Sequence, residues 1–264
     1  MSKMIEAIFI DLGNTLRILT QNDAHQSQAK RRMVELVQTD EEPEAFCQKI
    51  DARYKVYRKW AFEHLKEAPE SELWTRWLAP EFPAERIGPL GVELTFQYRQ
   101  SMGLRVVVDQ GKQVVDTLYQ RGYTLGIISN VITSREIPDW MDADGFTPYF
   151  KSVALSSVLG VRKPDPAIYL TAARKAEVEP AHCVYVADNL KRDVTGTRAA
   201  GFGMVIIMIS PEELARAEII AENRPDCVIH EFVELLEIFP QCPLVNLGTR
   251  RHHSFKNIEK SAEK

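Results

Sequence analysis

The 264-residue chain carries 37 acidic against 33 basic side chains, a formal net charge of -4 at pH 7, and its 45% hydrophobic content suffices for one large core or two smaller ones. This balance gives no general attraction to nucleic acid or to an anionic membrane, and no span reaches the roughly 18 apolar residues of a membrane helix, so a small-molecule partner is expected. Cys47, Cys183, Cys227 and Cys242 are scattered, with no Cys-x-x-Cys pair and no clustered histidines beside them, which points away from zinc and disulfides; Met1-Ser2-Lys3 runs almost directly into an apolar segment, and a cytoplasmic protein is expected.

Ile5, Ala7, Ile8, Phe9 and Ile10 form a run rich in β-branched residues, which predicts a strand buried on both faces and stopped by Gly13-Asn14-Thr15. Asp11 is left at the carboxyl end of that strand. In an open parallel sheet this edge is where ligands gather, so Asp11 is either placed for chemistry or an ordinary turn residue. Residues 22–102 are charged and lack period-2 alternation, and they predict helices alone. Met33, Val34, Leu36 and Val37 mark one; Glu44 to Ala68 a second, between Pro43 and Pro69; Leu73 to Leu78 a third; Ile87 to Met102 a fourth. Trp60, Trp74 and Trp77 recur at helical spacing and read as the core of this insertion before they read as pocket lining.

From Val106 strand and helix patterns alternate, which predicts a mainly parallel sheet. Asp109 is expected to cap a helix through Gln120. Strands follow at Tyr123 to Ser129, Ser152 to Leu155, Cys183 to Ala187, Met204 to Ile209 and Asp226 to Ile229, with helices at Pro166 to Ala176, Asp193 to Ala200, Pro211 to Ala221 and Glu231 to Phe239. The expected architecture is α/β, a Rossmann-like doubly wound sheet with an inserted all-helical domain. Residues 1–18 and 104–240 make its core, 19–103 the insertion, and 241–264 a polar, mobile tail whose His252 and His253 read as solvated rather than metal-binding. No pattern specifies an oligomeric state.

Chemistry-bearing residues fall at the predicted strand ends. Ser129 ends an apolar strand, where its hydroxyl could meet phosphate oxygens or the following Asn130 could cap a helix. Lys163 stands before Pro164 and Pro166, which prepare a helix start and leave an ammonium at the sheet edge. Asp188 follows the strand Cys183 to Ala187, and Asp193 lies one turn further on, as a partner of Asp188 or as an N-cap. Three carboxylates brought together repel and need a cation, and an all-oxygen site with open positions describes Mg²⁺.

Taken together, Asp11-Leu12-Gly13-Asn14-Thr15-Leu16, Ser129-Asn130, Lys163-Pro164-Asp165-Pro166 and Asp188-Asn189-Leu190-Lys191-Arg192-Asp193 resemble motifs I to IV of the haloacid dehalogenase (HAD) superfamily, and the helical insertion resembles the C1 cap of its subfamily I. The resemblance covers residues 5 to about 235. It implies a Mg²⁺-dependent hydrolase, most simply a phosphatase for a small phosphorylated metabolite that works through an aspartyl-phosphate. It further implies Asp11 as nucleophile, Lys163 as catalytic cation, Thr15, Ser129, Asn130 and Lys163 around the phosphate, and Asp11, the Gly13 carbonyl, Asp188 and Asp193 around the metal.

One position departs from the pattern. Phosphatases of the superfamily carry a second Asp two residues after the nucleophile, as general acid and base, and this chain has Gly13 there. Losing such a group typically costs about 10² to 10⁴ in rate. His25 is the nearest titratable substitute in sequence. The alternatives are a dehalogenase- or phosphonatase-like hydrolase on the same scaffold, or a weakly active binding or regulatory protein; Asp188 and Asp193 weigh against the metal-free dehalogenases, because acids without compensation beside the nucleophile are costly.

Overall fold

The first strand, β1 (Ala7–Ile10), is fully buried along its whole length, and its side chains alternate between two cores. Ile8 and Ile10 pack into one with Leu125, Ile127, Val184 and Val186, while Ala7 and Phe9 pack into the other with Tyr169, Ala172 and Tyr185. The computed structural model describes residues 4–242; of the tail expected at 241–264, Gln241 and Cys242 are instead held by the Arg121 carbonyl, with Cys242 buried, and the rest, with His252 and His253, lies outside the described residues.

Seven further strands are described: β2 (Arg17–Thr20), β3 (Leu104–Val107), β4 (Thr124–Ser129), β5 (Phe150–Leu155), β6 (Cys183–Ala187), β7 (Met204–Met208) and β8 (Cys227–Ile229). Six of the eight form one parallel sheet in the order β5-β4-β1-β6-β7-β8. The order reverses at β1, flanked by β4 and β6, so the crevice of a doubly wound sheet opens at its carboxyl end, where Asp11 stands.

Between β2 and β3 the chain is helical: α1 (Asp23–Val37), α2 (Pro43–His64), α3 (Glu70–Glu72) continuing as π-type turns over Leu73–Leu78, α4 (Ala84–Ile87) and α5 (Gly91–Ser101). The second helix ends earlier than its apolar pattern predicts, because Leu65 adopts a left-handed conformation at its C-cap. Tyr57, Trp74, Tyr98 and Ile87 fill this insertion's own core, and Trp60 and Trp77 pack against it, so the tryptophans are structural. β2 and β3 pair antiparallel into a ribbon at the base of the insertion.

The remaining helices are α6 (Gly111–Gln120), α7 (Glu136–Ala143), α8 (Ser156–Leu159), α9 (Pro166–Ala176), α10 (Leu190–Ala199), α11 (Pro211–Arg216) and α12 (Leu235–Ile238). Asp109 does not cap α6: Gln110 holds the N-cap position in a left-handed conformation, without a capping side chain. Asn189, rather than Asp193, caps α10, accepting a hydrogen bond from the Arg192 amide at 2.8 Å.

Buried carboxylates tie the helical insertion to the core. Glu67 pairs with Arg162 and accepts hydrogen bonds from Ser156 and Tyr57. Glu70 accepts from the Ser134 hydroxyl at 2.5 Å, and Gly91 lets α5 approach, since a Cβ there would stand 2.8 Å from the Glu70 backbone. Glu136 on α7 meets Arg99 of α5 at 2.7 Å, Arg17 of β2 at 3.2 Å and Arg105 of β3 at 3.8 Å.

Burial alone would raise the Glu136 carboxyl, but the three guanidiniums outweigh it and pull its pKa down to about 2, from an ordinary 4.5. Burial and the neighbouring Arg99 bring Arg105 down to about 10. Because Glu136 titrates lower in the folded chain, its ionisation stabilises the fold fully above about pH 4.5, by roughly 3 kcal/mol, and that gain disappears as pH falls toward 2. Glu136→Gln leaves three arginines without their carboxylate and is expected to cost about 3 to 5 kcal/mol at pH 7. Urea denaturation of both proteins between pH 7 and pH 3 checks this, and the difference between them should narrow toward acid.

Candidate active site

Three strand ends converge on one carboxylate. Asp11, immediately after β1, is 4% exposed; its Oδ1 accepts from the Leu12 amide at 2.8 Å and from the Ser129 hydroxyl, at the end of β4, at 2.9 Å. Its Oδ2 accepts from Lys163 Nζ at 2.6 Å. Lys163 is fully buried, and the ammonium also donates to Tyr185 Oη of β6 at 2.6 Å and lies 3.2 Å from Asp193. Tyr185 passes its own proton to the Ile128 carbonyl at 2.8 Å, so every hydrogen bond in this chain has a defined direction.

The loop that delivers Lys163 is held from β4. Asn130 accepts from the Lys163 amide at 2.8 Å and donates to the Lys163 carbonyl at 3.1 Å, a two-point clamp on one residue's backbone. Its side chain thus positions the lysine rather than facing a ligand. Beyond Lys163, Asp165 caps α9, with Pro166 in the first turn where a missing amide hydrogen does no harm.

Asp188 and Asp193 reach the same place from the end of β6 and the first turn of α10, and one carboxylate oxygen from each of Asp11, Asp188 and Asp193 lies within 4.8 Å of the others. Burial and the Asp11 charge push the Asp188 carboxyl up, against Arg192 and an Asn14 hydrogen bond of 3.1 Å that draw it down. For Asp193 burial acts in the same direction, but Lys163 and Arg192 outweigh it and hold the carboxyl below its ordinary range. The donor set is all oxygen and convergent, which fits a hard divalent cation such as Mg²⁺.

Arg192 is the residue that sequence reasoning missed. Its Nη2 lies 2.7 Å from Asp193, 3.3 Å from Asp188 and 3.5 Å from Asp11, so a single nitrogen meets all three carboxylates. The acids are therefore compensated within the chain by Lys163 and Arg192. This removes the ground on which Asp188 and Asp193 weigh against metal-free chemistry.

Gly13 borders open space, with nothing within 4 Å of where a Cβ would stand. Thr15 is fully buried and its hydroxyl has no hydrogen-bond partner, so it stands outside the network around Asp11. His25 hydrogen-bonds Gln100 within the helical insertion, at 3.0 Å. A cavity of about 450 Å³ opens beside Asn14 and Asp188, with Ile209, Ser210, Glu213 and His230 on its far wall.

A family model for haloacid dehalogenase-like hydrolases matches residues 5–201, from β1 to the turn that follows α10. The chain belongs to that family. This HAD-like hydrolase is similar to the glyceraldehyde 3-phosphate phosphatase of Methanopyrus kandleri, 34% identical over 99 residues that make up 36% of this chain and 41% of the relative. It is also similar to the phosphoglycolate phosphatase of Pasteurella multocida, 27% identical over 155 residues, 58% of this chain and 67% of that one. Haloacid dehalogenase-like hydrolase domain-containing protein 3 of Bos taurus is 29% identical over 131 residues, 50% of this chain and 51% of the relative. The chain spans about half the length of the curated relatives it matches.

In fold, the HAD-like chain resembles a 2-haloacid dehalogenase from Pseudomonas syringae pv. Tomato DC3000, with a TM-score of 0.63 at 21% identity over 89% of this chain and 98% of that one. It also resembles the HAD-hydrolase YfnB of Bacillus subtilis bound to magnesium, with a TM-score of 0.59 at 22% identity over 90% and 100%. Among the described residues no helix is long and apolar enough to cross a membrane.

Tyr185→Phe removes the only hydroxyl between the Lys163 ammonium and the Ile128 carbonyl and leaves that buried carbonyl without its side-chain donor. The expected loss is about 1 to 3 kcal/mol of stability with the fold retained, read by denaturant titration and circular dichroism.

Proposed function

We propose that this HAD-like hydrolase is a phosphatase for a small phosphorylated metabolite and that Asp11 is its nucleophile. In this reading residues 1–18 and 104–240 form the catalytic core and 19–103 the cap that covers it. The observation that carries the proposal is the meeting of Asp11, Ser129, Lys163, Asp188 and Asp193 at one strand edge, from four separate segments of the chain. The naming of similar proteins as phosphatases of glyceraldehyde 3-phosphate and phosphoglycolate supports it.

The first step forms a bond between an Asp11 oxygen and phosphorus and breaks the bond from phosphorus to the leaving oxygen, which departs with the electron pair. Water then attacks the aspartyl-phosphate and returns the carboxylate. Ser129 and the Leu12 amide hold Oδ1, which leaves Asp11 one orientation in which to attack. Lys163, already paired with Oδ2, is placed to meet the negative charge of the transferring group. Asn130 and Tyr185 hold the lysine in position from two strands.

Asp11, Asp188, Asp193 and the Gly13 carbonyl would hold Mg²⁺, which when bound supplies further charge stabilisation to the phosphoryl group. Gly13 supplies no proton to the leaving oxygen. The reaction therefore favours substrates whose leaving group needs little protonation, acyl phosphates above alkyl phosphates.

A second reading keeps Asp11 as nucleophile but attacks carbon, as in carbon-halogen cleavage; the specific observation in its favour is the compensation of the acids by Arg192. Chelation separates the two. Phosphate release that is abolished by EDTA and restored by Mg²⁺ supports the phosphatase, and halide release indifferent to EDTA supports the second.

Two substitutions test the assignment. Asp11→Asn is expected to lower phosphate release by at least about 10³-fold, as removal of a nucleophile does, and survival of turnover would mean that another group attacks. Gly13→Asp places a carboxyl in open space, where it fits without displacing a neighbour. It should raise turnover of alkyl phosphates by about 10² to 10⁴ while changing that of acyl phosphates much less, so that the dependence on leaving-group pKa flattens.

A further inference from the structure

A guanidinium within ion-pair distance of three carboxylates is an unusual occupant for a site whose donors suit a divalent cation. Arg192 reaches that position by sequence placement. It lies in the first turn of α10, next to Asp193 in the chain and four residues beyond Asp188, so its side chain and both acids share one end of the helix. The contacts are specific: Nε and Nη2 grip the two oxygens of Asp193 at 3.0 and 2.7 Å, and Nη2 extends to Asp188 and Asp11. Parallel bonds of this kind are the strong form of an Arg-carboxylate pair.

The charge arithmetic points the same way. Asp11, Asp188 and Asp193 contribute three negative charges, and Lys163 and Arg192 return two positive ones, so the cluster needs no further cation to be near balance. Lys163 has no freedom to leave: it is wholly buried and fixed by Asp11 and Tyr185. Arg192 is different, with 21% of its side chain exposed, and it can swing toward solvent about its own flexible stem. Its charge and that of a metal cannot share one position among the same three oxygens, because like charges a few ångströms apart repel strongly.

We propose that Arg192 is a tethered counter-cation that competes with a divalent ion for the carboxylate trio and must withdraw for the ion to enter. The proposal rests on the reading of Asp11, Asp188 and Asp193 as metal ligands. Metal affinity is then set by competition with a group of the chain itself. The tether also keeps the displaced guanidinium near the site, ready to return when the ion leaves.

The test is Mg²⁺ binding to the full chain by titration calorimetry, together with melting temperature in EDTA and in Mg²⁺, for the wild type and Arg192→Gln. The variant should bind Mg²⁺ about tenfold tighter or more, melt lower than the wild type in EDTA, and recover most of that difference when Mg²⁺ is added. Equal affinities within twofold overturn the proposal. If neither protein binds Mg²⁺, the proposal fails and the metal assignment fails with it. Tighter binding by the variant, with phosphate release that survives Asp11→Asn in an otherwise wild-type chain, upholds the proposal and overturns only the phosphatase reading. Should Arg192→Gln not fold even in Mg²⁺, Arg192→Lys, whose single ammonium cannot grip both Asp193 oxygens, takes its place, and unchanged Mg²⁺ affinity there overturns the proposal.

Discussion

A carboxylate as buried as Asp11, with two more acids inside 4.8 Å, persists only where cations meet it, and the Lys163 ammonium at 2.6 Å is the one the scaffold holds permanently. That contact ties together elements distant in sequence. β1 delivers the acid, β6 supplies the Tyr185 hydroxyl that steadies the ammonium, and Asn130 at the end of β4 grips the backbone of the lysine itself. The three central strands of the sheet are thus cross-linked at their carboxyl ends by polar groups, above apolar layers that fill both faces. Buried polar networks of this sort stabilise a structure only when their members are satisfied, and the Lys163 ammonium meets three partners, Asp11, Tyr185 and Asp193.

The helical insertion is joined to the same machinery by charge. Arg162, immediately before Lys163, is paired with Glu67; Ser134, a short way past Ser129, is bonded to Glu70; and Glu136 gathers arginines from β2, β3 and α5. Each link joins a core loop to the insertion or its ribbon. Movement of the helices therefore pulls on loops that also carry residues of the site, and the insertion is mechanically continuous with the lysine loop rather than resting on it.

Much of this was legible in the chain because it is local. β1 and β6 announce themselves as short apolar runs, α9 has its cap and proline at one end, and Asp11, Ser129 and Asp188 sit where such runs stop. What escaped depends on distant partners. β2 and β3 are four residues each and form a ribbon only by pairing across the whole insertion. α7 is short and has Pro138 in its first turn, which reads as a break. Tyr185 looks like one more large residue in a buried strand, although a hydroxyl buried on both faces demands a partner and could have been questioned on that ground. Arg192, beside Lys191 on a short helix, reads as solvated surface until the fold brings Asp11 and Asp188 around it.

The open space at Gly13 has a meaning beyond the proton it cannot carry. On the proposed phosphatase reading, a side chain in that position would be a wall as well as an acid, standing on the path of the departing half of a substrate. Without it, the floor of the site imposes no upper size on that half. On the proposed reading of residues 19–103 as a cap, selectivity for molecular shape then falls to those helices, and recognition and reaction are more completely separated than they would be with an aspartate at position 13.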